Sequence, residues 1–425
     1  MTEQAMFGCI ADDYTGAADL AGILARRGLR VIQCFGVPRD SSSFVDRRFD
    51  VVIVALKTRS VAKAEAISQS LKAAEWLQSI GVTHFYFKYC STFDSTPHGN
   101  IGPVAEALME SQSCKATLFC PAFPENGRTV YLGHLFVNGV LLNESDMQNH
   151  PLTPMTDASL PRLLSAQSNR TVGLLPWTDI TQGVSRTESV IARLRSDGKA
   201  LLVIDTLCEQ DMAIVSEVVC DWKLTTGGSA FAGHLVDRWI EKGRMHRGQE
   251  SETPITTDSR AAVLSGSCSA ATREQIAAFS SRFPAKKIDV VAASKDNHVL
   301  DELISWIDAH ADAKSILLYT TAEPSELAKI QKSIGKDHAA MVAETVLAEL
   351  ANALVQRGVR RFVIAGGETS GAIVNRLGIQ SVRIGSEIAP GVPWVYSMNE
   401  PTIALALKSG NFGGHSFFDD AVGNL

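Results

Sequence analysis

The sequence predicts an α/β protein made of two α/β domains with mainly parallel sheets and an interdomain active-site cleft. Three observations carry that prediction. The apolar pattern switches repeatedly between short strand-like runs and stretches of helical period. At 425 residues the chain is too long for one ordinary core. And one polar stretch without an apolar cluster, Lys242–Arg260 (KGRMHRGQESETPITTDSR), interrupts the alternation once, near its middle. The expected domains are therefore residues 1–245 and 255–425.

In chain order, Phe7–Ala11 reads as a buried strand, Thr15–Arg27 as a helix closed by Gly28, and Leu29–Phe35 as the next strand. Val51–Leu56 follows as a strand, Ala62–Ile80 as an Ala-rich helix and His84–Tyr89 as a strand feeding a long polar loop. A helix near Ile101–Glu110 and strands at Ala116–Cys120 and Leu201–Ile204 come next, and the half closes around Trp239–Gly243. After the polar stretch the alternation resumes. Strands are expected at Ala261–Leu264, Ile288–Ala292, Ile316–Tyr319, Phe362–Ala365 and Ile403–Leu407. Helices are expected at Ala270–Phe279, Val299–Ala309, Ser325–Ile334 and Met341–Arg357.

Composition narrows the function. The chain is 45% hydrophobic and 20% charged, so it has a core to bury and no signature of disorder. Its formal net charge of −6 argues against a nucleic-acid surface. Apolar runs such as Val51–Leu56 are strand-sized, below the roughly 18 residues of a membrane span. The start, MTEQAMFGCIADD, has no basic region and predicts no signal peptide. Eight cysteines, none in a CxxC pair, read as free thiols in a reducing cytoplasm. Neither they nor the histidines, which form no HExxH, have metal-ligand spacing, and no protein metal site is expected.

Several strand-to-helix junctions carry chemistry. Gly366-Gly367-Glu368-Thr369-Ser370-Gly371 lies between RFVIA and a helical run, where backbone N–H groups and a helix N-terminus converge on an anion. Thr369 and Ser370 are candidates to cap that helix or to bond phosphate oxygens. Ser265-Gly266-Ser267-Cys268-Ser269 leaves a strand in the same way, as either an N-cap cluster or the second side of a cradle. Lys408–Gly414 (KSGNFGG) is a third polar loop, expected to be flexible. Such loops at the C-terminal ends of parallel strands are where α/β proteins gather ligands. Neither GxGxxG nor GxxxxGK[ST] occurs, which disfavours dinucleotide and Walker-type sites.

The first half differs. Asp12 and Asp13 end the first strand and suit general-base work, hydroxyl recognition or Mg²⁺; the plainer alternative is an Asp helix cap, which one of the two would satisfy. Lys88–Asn100 (KYCSTFDSTPHGN) places Lys88, Asp94, Ser95 and Asn100 in one loop, a mixture fitted to a small polyhydroxylated anion. Lys57 and Arg59 add positive charge. Arg128, in Pro121–Arg128, is either a carboxylate clamp or part of a surface turn. Thr225–Ser229 reads as another donor-rich turn, either facing the interdomain cleft or merely capping a helix over Ala230–Ile240.

Seven segments in order resemble one family: IADDYTGAADLAG, FKYCSTFDSTPHGNIGPV, CPAFPENGRTVYLGHLFVNGVLL, LTTGGSAFA, SGSCSAATREQI, AGGETSGAIVNRLG and KSGNFGG. Together they resemble the four-carbon acid sugar kinases, across nearly the whole chain from Ile10 to Gly414. The KYCSTFDSTPHGN and PAFPENGRTVYLGHLFVN runs are most like those members that act on 3-oxo-tetronates. The resemblance implies a first domain that binds the acid sugar and a second that binds ATP. It implies transfer to the C4 hydroxyl of a 3-oxo-tetronate, with Ser265, Gly367, Glu368, Thr369, Ser370 and Gly410 at the nucleotide.

On this reading Mg²⁺ bridges the ATP phosphates, Lys88 or Arg128 holds the substrate carboxylate, and Asp13 or Asp94 takes or orients the hydroxyl proton. Asp12, Ser95 and Asn100 serve the substrate. Closure of the two domains excludes water. The alternatives are a threonate or erythronate kinase of the same family, a non-catalytic sugar-acid sensor and a nicotinamide-dependent dehydrogenase. The expected partners are small molecules, with neither nucleic acid nor membrane; a homo-oligomer is left open.

Overall fold

The computed structural model describes residues 7–39, 49–149, 153–248, 260–296, 298–389, 391–408, 410 and 412–423. The chain divides into two compact units, Met1–Glu250 and Ser251–Leu425. Most of the polar stretch Lys242–Arg260, residues 249–259, lies outside the described residues.

The first unit is built on β1 (Phe7–Ala11), β2 (Val31–Phe35), β3 (Val51–Ala55), β4 (His84–Lys88) and β5 (Thr117–Cys120). A three-stranded antiparallel sheet follows, made of β6 (Arg128–Tyr131), β7 (His134–Val137) and β8 (Val140–Leu141). Then come β9 (Val172–Leu175), β10 (Leu201–Ile204) and β11 (Leu224–Gly227). The main sheet runs β2-β3-β1-β4-β11-β5-β10-β9 and is parallel at every pairing. Strands covered on both faces must be apolar throughout. FGCIA of β1 and VVIVA of β3 are buried at every position.

Helices α1 (Tyr14–Ala25), α2 (Lys63–Ser79), α3 (Ile101–Ser111), α4 (Leu160–Gln167), α5 (Trp177–Ile180), α6 (Val184–Ser196), α7 (Glu209–Val219) and α8 (Ser229–Glu241) belong to this unit. Helix α1 begins where Asp13 caps it, accepting from Gly16 N at 2.8 Å. It stops at Arg26, two residues before Gly28, whose φ of +79° only glycine adopts without strain.

The second unit holds β12 (Ala261–Ser265), β13 (Ala285–Lys287), β14 (Ser315–Tyr319), β15 (Arg361–Ala365), β16 (Ser381–Ala389), β17 (Val392–Ser397) and β18 (Ala404–Lys408). Its order is β13-β14-β12-β15-β18-β17-β16, parallel from β13 to β18 and antiparallel across β17 and β16. Helices α9 (Ala270–Ser280), α10 (Val290–Ala293), α11 (His298–Ala309), α12 (Pro324–Ile334), α13 (Lys336–Gln356), α14 (Gly367–Arg376) and α15 (Phe417–Gly423) complete it. Val263, Phe279, Val363, Trp394, Ala406, Phe417 and Phe418 form a core on one sheet face. Helix α13 is long and apolar enough to cross a membrane by length and composition alone. It buries Leu347, Leu350 and Leu354 within the unit, as a core helix does.

Two expectations need correction here. The strand expected at Ile288–Ala292 is a short helix, α10, preceded by β13 three residues earlier than its apolar run begins. Asp289 accepts from Ala292 N at 2.9 Å, so a side-chain cap turns the chain into helix just where the apolar run starts. The Thr225–Ser229 turn is instead the end of a central strand and the start of α8. Thr226 donates its hydroxyl to Leu118 O at 2.6 Å and is fully buried.

Candidate active site

In the first unit the order β3-β1-β4 brings three strand ends to one edge. Asp12 N donates to Lys88 O at 3.1 Å and Thr58 N to Asp12 O at 2.9 Å, locking the segments after the strands together. Ligand groups at this edge suit a parallel α/β sheet. Arg59 stands at the centre. Its Nε and Nη2 clasp both oxygens of Asp12 at 3.0 Å each, Nη2 also meets Asp13 Oδ1 at 3.0 Å, and Nη1 reaches Asp94 Oδ2 at 3.4 Å. Asp94 further accepts from Thr92 Oγ1 at 2.5 Å.

One guanidinium thus gathers the three carboxylates that the sequence distributes over two strand ends. This answers where Arg59 goes: its donors are spent on protein carboxylates, and it is not a free cation for a substrate. Lys88 is different. It is buried, and its nearest carboxylate is Asp13, at 3.8 Å. The ammonium lies against the start of α1, where a Cβ at residue 16 would sit 1.7 Å from Lys88 Nζ; Gly16 is what leaves it room.

Electrostatics follow burial. The Asp12 carboxyl is pushed above its usual range chiefly by desolvation, with Arg59 pulling the other way. Burial works against the Arg59 charge, yet Asp12 and Asp13 outweigh it and keep the guanidinium protonated. Burial likewise raises the Cys90 thiol, which shares a 3.0 Å contact with Thr92 Oγ1.

The remaining candidates hold the frame. Asn100 Nδ2 donates to Thr58 O at 2.8 Å and Val61 O at 2.9 Å, fixing the turn that carries Arg59. Ser95 is buried and accepts from Gln167 Nε2 at 2.7 Å. A small cavity reaches Asp12, Arg59, Asp94, Ser95 and Asn100 together. Arg128 does not join them: it lies on β6, its Nη1 donates to Asn126 O, and among the described residues no ion pair links it to the cluster. Sequence reasoning passed over Gln167 and Thr92. Gln167, on a helix over seventy positions after Ser95, left no local signal.

In the second unit β12, β15 and β18 are adjacent and parallel, so their three following loops meet. Gly266 N and Ser267 N donate to Ala365 O at 3.0 and 3.1 Å, and Gly366 N donates to Lys408 O at 3.0 Å. Gly366 has φ +126° and caps α14 without any side-chain bond, so the N-terminus of that helix carries no side-chain cap. Gly367 faces open space. Thr369 and Ser370 do not cap the helix. They lie in its first turn, Thr369 buried beneath Gly266 and Gly366, and Ser370 Oγ donating back to Gly366 O at 2.8 Å. A Cβ on Gly266 would sit 2.2 Å from Thr369 Oγ1, which accounts for the glycine.

Ser265 is fully buried and shares a 2.9 Å bond with Thr321 Oγ1, itself a donor to Ser267 O at 2.8 Å. Ser269 is the N-cap of α9, accepting from Thr272 N at 3.2 Å, and also donates to Gly410 O at 2.6 Å. The cluster is thus both an N-cap and one wall of the loop assembly. Glu368 is exposed in the first turn of α14. Lys408 is no part of a flexible loop; it ends β18 and is buried. Ser409 and Asn411 lie outside the described residues. No cluster of three or more His, Cys, Asp or Glu side chains able to hold a metal occurs among the described residues.

Comparison with known proteins is consistent along the whole chain. A sugar-binding N-terminal domain model matches residues 7–235, and a nucleotide-binding C-terminal domain model matches residues 262–418. A 3-oxo-tetronate kinase of Burkholderia multivorans is 45% identical, over 98% of this chain and 96% of that one. One from Cupriavidus necator is 45% identical over 100% and 98%. The crystal structure of Haemophilus influenzae protein HI1011 is similar at a TM-score of 0.89 and 42% identity, covering 98% of this chain and 99% of that one.

Proposed function

The chain belongs to the four-carbon acid sugar kinase family, and from that membership we infer that it transfers a phosphoryl group from ATP to a 3-oxo-tetronate. It is an enzyme, a kinase with a small-molecule acceptor. The observation that carries the substrate is the end-to-end similarity to proteins named for that activity, at 43–45% identity.

The acceptor is the terminal C4 hydroxyl, the primary alcohol and the least hindered nucleophile of a four-carbon acid. Phosphoryl transfer needs alignment and charge stabilisation more than covalent help from the protein. With Arg59 spent on Asp12, Asp13 and Asp94, and Lys57 exposed and lying 5.0 Å over the Tyr14 ring, Lys88 is the buried cation at the cluster that serves the substrate carboxylate. Asp13 is the better base: although its Oδ1 is engaged by Gly16 N and Arg59, its side chain is 29% exposed, against 7% for Asp94, which is closed in by Thr92 and Arg59. Asp12, held by both arms of Arg59, orients rather than reacts. In the second unit the α14 N-terminus and the loops after β12 and β18 supply N–H donors and hydroxyls for phosphate oxygens. Glu368, exposed in the first turn of α14, is the acidic side chain that would help hold a Mg²⁺ ion, which would supply positive charge against the phosphates and needs few protein ligands of its own. The protein works in the cytoplasm.

The test is ADP release with ATP and Mg²⁺ against a panel of 3-oxo-tetronates, threonates and erythronates, with a no-sugar blank. Turnover confined to a 3-oxo acid is the expected result. Turnover on threonate or erythronate instead would keep the family and remove the substrate.

A further inference from the structure

Lys408 is 1% exposed at the end of β18, in the middle of the nucleotide-side loops. Its ammonium donates to Thr272 Oγ1 and to Gly410 O, both at 3.1 Å, and lies 5.9 and 5.8 Å from the ring centres of Phe417 and Phe418. Gly410 O accepts in addition from Ser269 Oγ at 2.6 Å and Thr272 Oγ1 at 2.8 Å. One carbonyl therefore anchors the loop after β18 to the start of α9, and the lysine is one of its three donors.

No charge opposes the ammonium. Among the described residues it forms no ion pair. Across the strand register β15 offers Ala365, α9 offers Thr272, and α15 offers the two phenylalanines; β17 (VPWVYS) carries no charged residue, and Glu368 of α14 is exposed and makes no ion pair with the lysine. The α15 carboxylates are engaged elsewhere, Asp419 by Arg282 and Asp420 by Ser416. A buried cation without a counter-ion is costly, and burial lowers the Lys408 pKa to about 8.

We propose that Lys408 is a positioning residue of the nucleotide site: it fixes the Gly410 loop, and nucleotide phosphates supply the negative charge its ammonium lacks, so nucleotide binding and protonation of this lysine favour each other. The proposal rests on the kinase reading. Its sign is definite. Below about pH 8 the lysine is already charged in the free protein. Above that, binding must take up a proton, and affinity falls as pH rises.

The experiment is calorimetric titration of ADP from about pH 7 to about pH 9.5, in two buffers of different ionisation enthalpy at each pH. The wild type takes up about half a proton at the midpoint, and its Kd climbs toward about tenfold per pH unit above it. Lys408→Arg, which stays charged, binds ADP with a flat profile. Lys408→Met binds at least about tenfold more weakly at neutral pH and is flat. A flat wild-type Kd without proton uptake overturns the proposal, and so does a Lys408→Met protein with wild-type affinity and slope. If Lys408→Met does not fold, the wild-type series and Lys408→Arg decide alone. Absence of ADP binding at every pH overturns both this proposal and the kinase reading.

Discussion

The two units solve anion recognition in opposite ways. The first crowds three carboxylates and two cations at one sheet edge and neutralises most of them internally through Arg59. The second brings together backbone N–H groups, hydroxyls and one buried lysine, with no carboxylate paired to it among the described residues. Their sheets are alike where the ligand loops arise: parallel strands whose C-terminal ends converge. The difference lies in what each partner needs. A small hydroxy acid must be oriented and deprotonated at one oxygen, which calls for fixed charges of both signs. A polyphosphate needs many donors and no competing anions.

That contrast is broken or sharpened by substitution, the largest effects first. Asp13→Asn is expected to lower kcat by about a thousandfold, the loss of a general base. ADP affinity stays unchanged, and the asparagine still caps α1, so thermal stability holds. If Asp94→Asn carries that loss instead, the base is Asp94; if neither costs more than about tenfold, the cluster is not the catalytic one. Lys88→Met removes a charge-assisted contact worth about 1.5–3 kcal/mol, so KM for the acid sugar rises roughly 10- to 150-fold with ADP binding untouched. Steady-state kinetics with each substrate varied separates the two.

Gly366→Ala should act in the other direction. A side chain at φ +126° and 2.9 Å from Thr369 Oγ1 displaces the turn before α14, and the expected result is ADP weakened about tenfold while the acid sugar still binds. Arg128→Ala is expected to do least, leaving KM within about twofold, because its guanidinium serves a local carbonyl. A large rise in acid-sugar KM for this variant would return Arg128 to the role of carboxylate clamp.

How much of this was readable in the sequence depends on how local the cause is. β1, β3 and β15 announce themselves because a strand buried on both faces must be continuously apolar. β11 does not, since LTTG has the letters of a turn. Its glycine is required by close approach: a Cβ on Gly227 would lie 2.5 Å from Tyr86 Oη and 2.6 Å from Cys120 O. β16 was missed because SVRIGSEIA mixes charge and glycine into an antiparallel pairing with two register shifts. The loops around Gly366 and Asp12 were legible as chemistry, but the convergence of Asp12, Asp13 and Asp94 on Arg59 was not. It arises from the order β3-β1-β4, a tertiary fact that no spacing along the chain encodes. Lys408 was hidden for the opposite reason, a buried residue beside letters that spell a flexible loop.

The most direct measurement is a crossed titration: ADP and the 3-oxo acid, each into the wild type, Lys88→Met and Gly366→Ala, by calorimetry. The account predicts that Lys88→Met loses the acid sugar and keeps ADP, while Gly366→Ala loses ADP and keeps the acid sugar. Equal loss of both ligands in each folded variant would contradict the division of labour between the two units.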